Sequence, residues 1–280
     1  MTDTASGDRT DAATGTELAG LIALDVDGTV LLADESPSPG IRAAIAGAHD
    51  AGYEVTLATG RSWAGTHHVL DLLGLRPEFV VCANGAVIMR RGGDEAGYER
   101  WRVETFDPAE VLKLLLAELP DAHFMVELAD GHRLYTDVAA GWNLDGAEQV
   151  PFDRLSHERV SRVVVVDPSR SDADFLALTE RIGLHSVSYA IGWTAWLDIA
   201  PQGVDKSSAL EIVREELDVA GRDVLVMGDG RNDLGMFAWA RAVGGRAIAM
   251  AQGPSEVRDA ATEVTASVEH GGVAEVLRAL

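Results

Sequence analysis

Basic residues, cysteines and long apolar runs are all scarce in this chain, and each scarcity removes a class of function. Lysine and arginine number 23 against 45 aspartates and glutamates, a formal charge of −22. No basic face balances that excess, which argues against a general nucleic-acid binder and fits a soluble protein with an acidic, solvated surface. The one cysteine, Cys82, excludes an intramolecular disulfide. A reducing compartment fits best, so a cytoplasmic location is expected. Cys82 lies in Phe79-Val80-Val81-Cys82, which reads as a packed core thiol rather than a nucleophile. No apolar stretch reaches membrane-spanning length, and residues 1–18 carry no signal-peptide core. Those residues are rich in Thr, Asp, Ala and Gly and read as a disordered lead-in. There is no convincing internal repeat.

The chain has 280 residues, 47% of them hydrophobic, enough to bury a sizeable core in one large domain or two modest ones. Strands are expected at 20–26, 53–58 and 79–82, with helical patterns at about 39–51 and 62–73. That βαβαβ rhythm, with continuous apolar strands, predicts a parallel sheet covered on both faces. The rhythm changes near Asn84-Gly85-Ala86. A hairpin is expected from 86–90 and 98–104 around Arg91-Gly92-Gly93-Asp94. Next come a helix at 108–118, strands at 122–127, 132–136, 160–166, 185–190 and 195–199, and a helix near 172–182. From Asp205 the α/β rhythm returns: helices at 205–218, 232–240, 254–261 and 271–279, and strands at 223–228 and 243–249. The fold class is therefore α/β, a Rossmann-like parallel sheet with helices on both faces, interrupted by an inserted α+β unit.

Four segments carry chemistry, and each falls at the end of a predicted strand or the start of the following helix. Leu21-Ile22-Ala23-Leu24 ends in Asp25-Val26-Asp27-Gly28-Thr29. Asp25 and Asp27 share one side of an extended chain, so one acid can attack while the other moves a proton; an Asp-Gly turn is the plain alternative. Ala58-Thr59-Gly60-Arg61-Ser62 offers a hydroxyl and helix-terminal N–H groups to an oxyanion, or simply an N-cap. Lys206, in Gly203-Val204-Asp205-Lys206-Ser207, opens a helix where the dipole disfavours a cation, which suggests an anion for it to meet; otherwise it is an exposed lysine. Gly228-Asp229-Gly230-Arg231-Asn232-Asp233 closes the set. Rival motifs fail at single positions. A P-loop needs glycine at Asp205, a dinucleotide fingerprint at Asp233, and an EF-hand loop at Val30. Asp25, Asp27, Asp229 and Asp233 would repel one another in a dry site. A hard divalent cation removes that penalty, and oxygen-only ligands favour Mg²⁺ over Zn²⁺. One site for Mg²⁺ and an anion explains all four segments together, and phosphate is the obvious anion.

This set resembles the haloacid dehalogenase superfamily of phosphatases, in particular its Cof-type subfamily IIB branch with a large α+β cap. Asp25-Val26-Asp27-Gly28-Thr29, Ala58-Thr59-Gly60-Arg61, Lys206, and Gly228 to Asp233 with Met236 carry the likeness. Asn84-Gly85-Ala86, Ala249-Met250, Val264-Thr265 and Gly271-Gly272-Val273 support it. The resemblance implies that Asp25 is the nucleophile, forming an aspartyl-phosphate, and that Asp27 protonates the leaving oxygen and then activates water. It implies that Thr59, with Gly60, binds the phosphoryl group, that Lys206 neutralises charge, and that Asn232 orients Lys206 or phosphate. Mg²⁺ falls to Asp25, the Asp27 backbone carbonyl, Asp229 and, directly or through water, Asp233. Ser207 stands where relatives often carry glycine, which leaves those roles intact. The implied domains are a tail at 1–18, a core at 19–84 and 201–280, and a cap at 85–200 that chooses the leaving group.

Candidate cap contacts are Glu127, Arg133, Trp142, Asn143, Trp193 and Trp196, each also a candidate for plain packing; Arg61 and Trp63 border the entrance. His67 and His68, without partners at metal spacing, read as surface residues. The expected function is Mg²⁺-dependent hydrolysis of small phosphate monoesters, sugar phosphates foremost. Alternatives are a phosphomutase of the same superfamily and a non-catalytic module that binds phosphate or Mg²⁺. The expected partner is a small phosphorylated metabolite, with no nucleic acid or membrane, and the chain is expected as a monomer or homodimer.

Overall fold

The computed structural model describes residues 18–92, 97–139, 142, 144–182, 187–191 and 196–280. The lead-in to residue 17, the tip of the 91–94 turn, Asn143 and Trp193 lie outside the described residues. The chain runs β1 (Gly20–Leu24), α1 (Ile41–Asp50), β2 (Tyr53–Leu57), α2 (Trp63–Leu73), β3 (Phe79–Cys82), β4 (Val87–Arg91), β5 (Tyr98–Val103), α3 (Ala109–Glu118), β6 (His123–Leu128), β7 (Arg133–Tyr135) and β8 (Glu148–Gln149). It continues through β9 (Val160–Val166), α4 (Asp172–Ile182), β10 (Val187–Ile191), β11 (Trp196–Pro201), α5 (Lys206–Glu216), β12 (Val224–Gly228), α6 (Leu234–Ala242), β13 (Arg246–Met250), α7 (Ser255–Ala260), β14 (Glu263–Thr265) and α8 (Gly272–Leu277). The predicted α/β class is what the structure shows.

Five strands form one parallel sheet in the order β14-β13-β12-β1-β2. A parallel bridge from Ala58 to Val81 brings β3 alongside β2. Strand β1 is buried along its whole length because its residues serve two cores. Ile22 and Leu24 pack with α1, α2 and α8 on one face, while Leu21 and Ala23 pack with α5 and α6 on the other. Burying each such side chain contributes roughly 1.5–3 kcal/mol, which is why these strands read as unbroken apolar runs. Helix α1 shows the complementary pattern, burying Ile41, Ala44, Ile45 and Ala48 at helical spacing. From β1 the chain crosses to β2 on one side, while β12 leads to β13 on the other, so a crevice opens between β1 and β12 at their carboxyl ends.

The second sheet has the order β10-β11-β9-β6-β7-β8, antiparallel apart from the pairing of β7 with β8. One face buries Phe124, Val126, Val163, Val165, Leu197 and Ile199 against α3 and α4. With a period of two, the other face carries Glu127, Arg162 and Asp198, all buried, and it is turned toward the parallel sheet. The hairpin β4–β5 differs from the sequence expectation, which placed it in the insert. It extends antiparallel from β3, and Val87, Ile88 and Met89 are buried with the parallel-sheet cores, while the second sheet's own core begins at Phe106. The expectation also missed β8 and β14, whose two and three residues are too short to show a period. Among the described residues no helix is long and apolar enough to cross a membrane.

Candidate active site

The four predicted segments converge at the crevice. Asp25 leaves the end of β1 with its N–H donating to Met227 O at 2.9 Å, which carries the β1–β12 register one residue past the strand. Asp229 leaves β12, and Asp233 closes the 3₁₀ turn that precedes α6. One carboxylate oxygen from each of these three acids lies within 4.8 Å of the others, and all three residues are buried. Two glycines make the approach possible. Gly28 has φ +77°, and a Cβ there would sit 2.2 Å from Asp229 Oδ2; at Gly228 one would sit 2.2 Å from Asp233 Oδ2.

Lys206 is the anion-seeking lysine. It is the first residue of α5, behind the N-cap Asp205, whose carboxylate accepts from Ser208 N at 2.9 Å while Ser208 Oγ accepts from Asp205 N at 3.1 Å. That capping box sets the helix start and aims the lysine inward. Its Nζ donates to Asp25 Oδ1 at 2.5 Å and to Asp233 Oδ1 at 2.6 Å, and the residue is 1% exposed. Asp233 Oδ2 accepts from Gly230 N at 2.9 Å. One buried ammonium therefore faces three buried carboxylates. Burial pulls Lys206 down, but Asp233 and Asp25 outweigh it and hold the lysine charged, above its ordinary value. Burial pushes Asp25 well above the usual carboxylate range, against the pull of Lys206 and with added repulsion from Asp233 and Asp229. Burial, then repulsion from Asp233, pushes Asp229 up to about 7. Hard oxygen donors, crowded negative charge and raised acids together suit a divalent cation.

Asp27 stands apart from that cluster. Its side chain is 57% exposed and is gripped by Arg61, which donates from Nε to Oδ2 at 2.9 Å and from Nη2 to Oδ1 at 2.5 Å. Arg61 Nη2 also reaches Glu35 Oε1 at 2.9 Å. Thr59 is 1% exposed, and its Oγ1 accepts from Arg61 N at 3.1 Å. Gly60 lies beside Asn84 at the same edge. Asn232 points at Asn84 Oδ1, donating at 3.2 Å, so the structure joins it to the β3–β4 turn rather than to Lys206.

The remaining candidates divide. Trp63 is half-buried, packed against the edge of the core and against Tyr98, while His67 and His68 are exposed, as expected of them. Glu127 is tied by Arg100 Nη2 at 2.8 Å, and Arg133 by its bond to Asp145 O at 2.5 Å, so both are engaged inside the protein. Trp142 is half-buried, its Nε1 enclosed with no hydrogen-bond partner among the described residues; Trp196 is half-buried in β11. Sequence reasoning missed Gln252. Its Oε1 accepts from Val268 N at 3.1 Å, which turns Nε2 toward Gly28 O at 2.6 Å and Asp229 Oδ2 at 3.3 Å. A neutral polar residue in a loop past β13 carries no distinguishing pattern. Arg162 and Asp198 were missed too, because each is a charge inside an apolar strand whose partner lies far away in sequence.

A sequence model of the haloacid dehalogenase-like hydrolases matches residues 22–277. The chain belongs to this family of hydrolases, as the four motifs implied. It is 27% identical over 275 residues to the 5-amino-6-(5-phospho-D-ribitylamino)uracil phosphatase YitU of Bacillus subtilis, covering 92% of this chain and 96% of that one. It is also 27% identical over 258 residues to the phosphoglycolate phosphatase of Methanothermobacter thermautotrophicus, again covering 92% and 96%. In fold it matches the subclass IIB sugar phosphatase BT4131 with a TM-score of 0.75 at 17% identity, over 93% of this chain and 98% of that one.

Proposed function

We propose that this hydrolase is a Mg²⁺-dependent phosphatase of small phosphate monoesters, sugar phosphates foremost, working through an aspartyl-phosphate on Asp25. The reading rests on the placement of Lys206, whose ammonium binds Asp25 and Asp233 at once beside Asp229. The two relatives above carry names of phosphatases for small phosphorylated metabolites, which supports the substrate class. The enzyme is a phosphoric monoester hydrolase of the haloacid dehalogenase type.

Asp25 is fixed for attack. Lys206 holds its Oδ1 at 2.5 Å, leaving Oδ2 as the oxygen that bonds to phosphorus while the bond to the leaving oxygen breaks. Thr59 Oγ1, already accepting from Arg61 N, donates its own hydrogen to the phosphoryl group. Asp27 is the proton carrier because it is the exposed acid at the mouth, where a leaving group enters. In the cycle it exchanges Arg61 for the leaving oxygen, gives that oxygen a proton, and takes one from the water that attacks phosphorus, which breaks the bond from Asp25 Oδ2 to phosphorus, frees inorganic phosphate and restores the Asp25 carboxylate. Asp25, Asp229 and Asp233 fit as carboxylate ligands that would hold Mg²⁺, and the Asp27 backbone carbonyl is the further ligand proposed with them. When bound, the ion supplies positive charge to offset the acids and the transferring phosphoryl oxygens.

The proposed core comprises 19–84 and 201–280, with the hairpin β4–β5 added to it by its packing, and the remaining insert is the cap. Its charged face covers the Thr59–Gly60 loop and selects the leaving group. A panel of sugar phosphates, nucleotides and p-nitrophenyl phosphate, assayed with MgCl₂ or with chelator, tests the reading. Inorganic phosphate release that needs the cation is expected, and Asp25→Asn should lower it by about 10⁴-fold or more while the fold persists. Normal turnover by that variant would discard Asp25 as nucleophile.

A further inference from the structure

The charged face of the second sheet reaches the Thr59–Arg61 loop through Arg162, a residue 3% exposed on β9. Its Nη1 donates to Gly60 O at 2.8 Å. The two adjacent carbonyls are occupied as well: Asn84 N donates to Thr59 O at 2.9 Å and Ala83 N to Arg61 O at 2.8 Å. Ala83 and Asn84 both have positive φ, 50° and 48°, and in that unusual turn their N–H groups face the loop. Three successive carbonyls are thus pinned, two by the turn after β3 and the middle one by Arg162.

The middle peptide matters most. Gly60 C=O and Arg61 N–H belong to the same planar trans unit, so they point in opposite directions. Holding Gly60 O toward Arg162 aims Arg61 N–H the other way, where it donates to Thr59 Oγ1 at 3.1 Å. A hydroxyl that accepts a bond on one side keeps its hydrogen to donate on another. Arg162 is itself steadied. Its Nε lies 3.3 Å from Asp198 Oδ1, and Asp198 Oδ2 accepts from Asn84 Nδ2 at 2.9 Å. Asn84 Oδ1 in turn accepts from Asn232 Nδ2 at 3.2 Å, which ties the chain of contacts to the acid loop.

We propose that Arg162 is a positioning residue which, by orienting the Gly60–Arg61 peptide, sets the Thr59 hydroxyl as a donor to the transferring phosphoryl group. This rests on the phosphatase reading. The cap then contributes to phosphoryl transfer as well as to the choice of leaving group.

A double-mutant cycle on the full chain separates this role from general support of the fold. With p-nitrophenyl phosphate and MgCl₂, Thr59→Ala should lower kcat about a hundredfold and Arg162→Met about tenfold, with KM changing by less than about threefold. If Arg162 acts through Thr59, the double variant falls no further than Thr59→Ala alone. Losses that multiply, or an Arg162→Met kcat equal to wild type beside a reduced Thr59→Ala, overturn the proposal. Should Arg162→Met not fold, Arg162→Lys keeps one donor for Gly60 O. It should lower kcat by less than about tenfold and have no effect in the Thr59→Ala background; a loss that persists there overturns the proposal. A wild type that hydrolyses no phosphate ester removes the phosphatase reading by itself. The orienting role is then read from amide hydrogen exchange at residues 59–61, which should quicken in Arg162→Met or Arg162→Lys; unchanged exchange overturns it.

Discussion

Asp229 makes the acid cluster measurable without any substrate. Its carboxyl moves from the usual 3.8 to about 7 in the folded protein, chiefly through burial and then through Asp233. A raised carboxyl binds its proton more tightly in the folded state than in the unfolded one. Its contribution to stability is therefore fully present below pH 4 and is lost as pH climbs through 7. About three pH units at roughly 1.4 kcal/mol each gives about 4 kcal/mol in all, of which about 3 kcal/mol disappears between pH 5 and pH 8. For a chain of this size that corresponds to a fall of about 5–10 °C in Tm. The perturbation is Asp229→Asn, which keeps the shape and removes the charge. In chelator, the Tm of the variant should overtake that of the wild type as pH rises from 5 to 8, and the gap should widen through that window. Release of Asp25 and Asp233 from the repulsion of Asp229 adds to the gap. Millimolar MgCl₂ at pH 8 should raise the wild-type Tm and leave the variant nearly unchanged, because binding to the folded state alone stabilises it. A gap in chelator that is the same at pH 5 and pH 8 would refute both the burial argument and the crowding of charge it describes.

Three further outcomes follow from single contacts. Lys206→Met leaves Asp25 and Asp233 buried without their shared cation, so chemical denaturation should show a loss of about 3–5 kcal/mol at neutral pH, and turnover should vanish. Gly28→Ala puts a methyl 2.2 Å from Asp229 Oδ2 at a positive φ. It should destabilise by about 1–2 kcal/mol, and in a Mg²⁺ titration followed by Tm it should need more cation than the wild type. Cys82 is fully enclosed and its thiol is pushed up to about 12, chiefly by burial. Ellman's reagent should therefore leave it unmodified in the native protein at pH 8 and react promptly in denaturant; prompt reaction in the native state would contradict its place in the core.

The hydrophobic runs determined the layered architecture, because a strand buried on both faces must be apolar throughout and each crossover helix must show an apolar stripe. The four chemical segments were legible for a related reason. Asp25, Thr59, Lys206 and Asp229 follow buried strands or open helices, and polar groups at those points stand out against the apolar sequence beside them. The lysine at the start of α5 even announced its partners, since the helix dipole makes that position costly without an anion.

Tertiary structure alone decided the rest. Which acids meet Lys206, and that Asp27 turns away to Arg61, depends on side-chain directions that spacing does not contain. The hairpin β4–β5 packs with the parallel-sheet cores because Val87, Ile88 and Met89 find their neighbours there, although its sequence looks like the start of the insert. Arg162, Asp198, Asn84 and Gln252 act across long stretches of chain: Arg162 meets Gly60 102 residues away and Asn84 meets Asp198 114 residues away. Local sequence determines periods, caps and turns because those interactions span a few residues. Contacts between distant segments exist only once both have been placed, and in this protein those contacts set the orientation of the groups that the sequence had already identified.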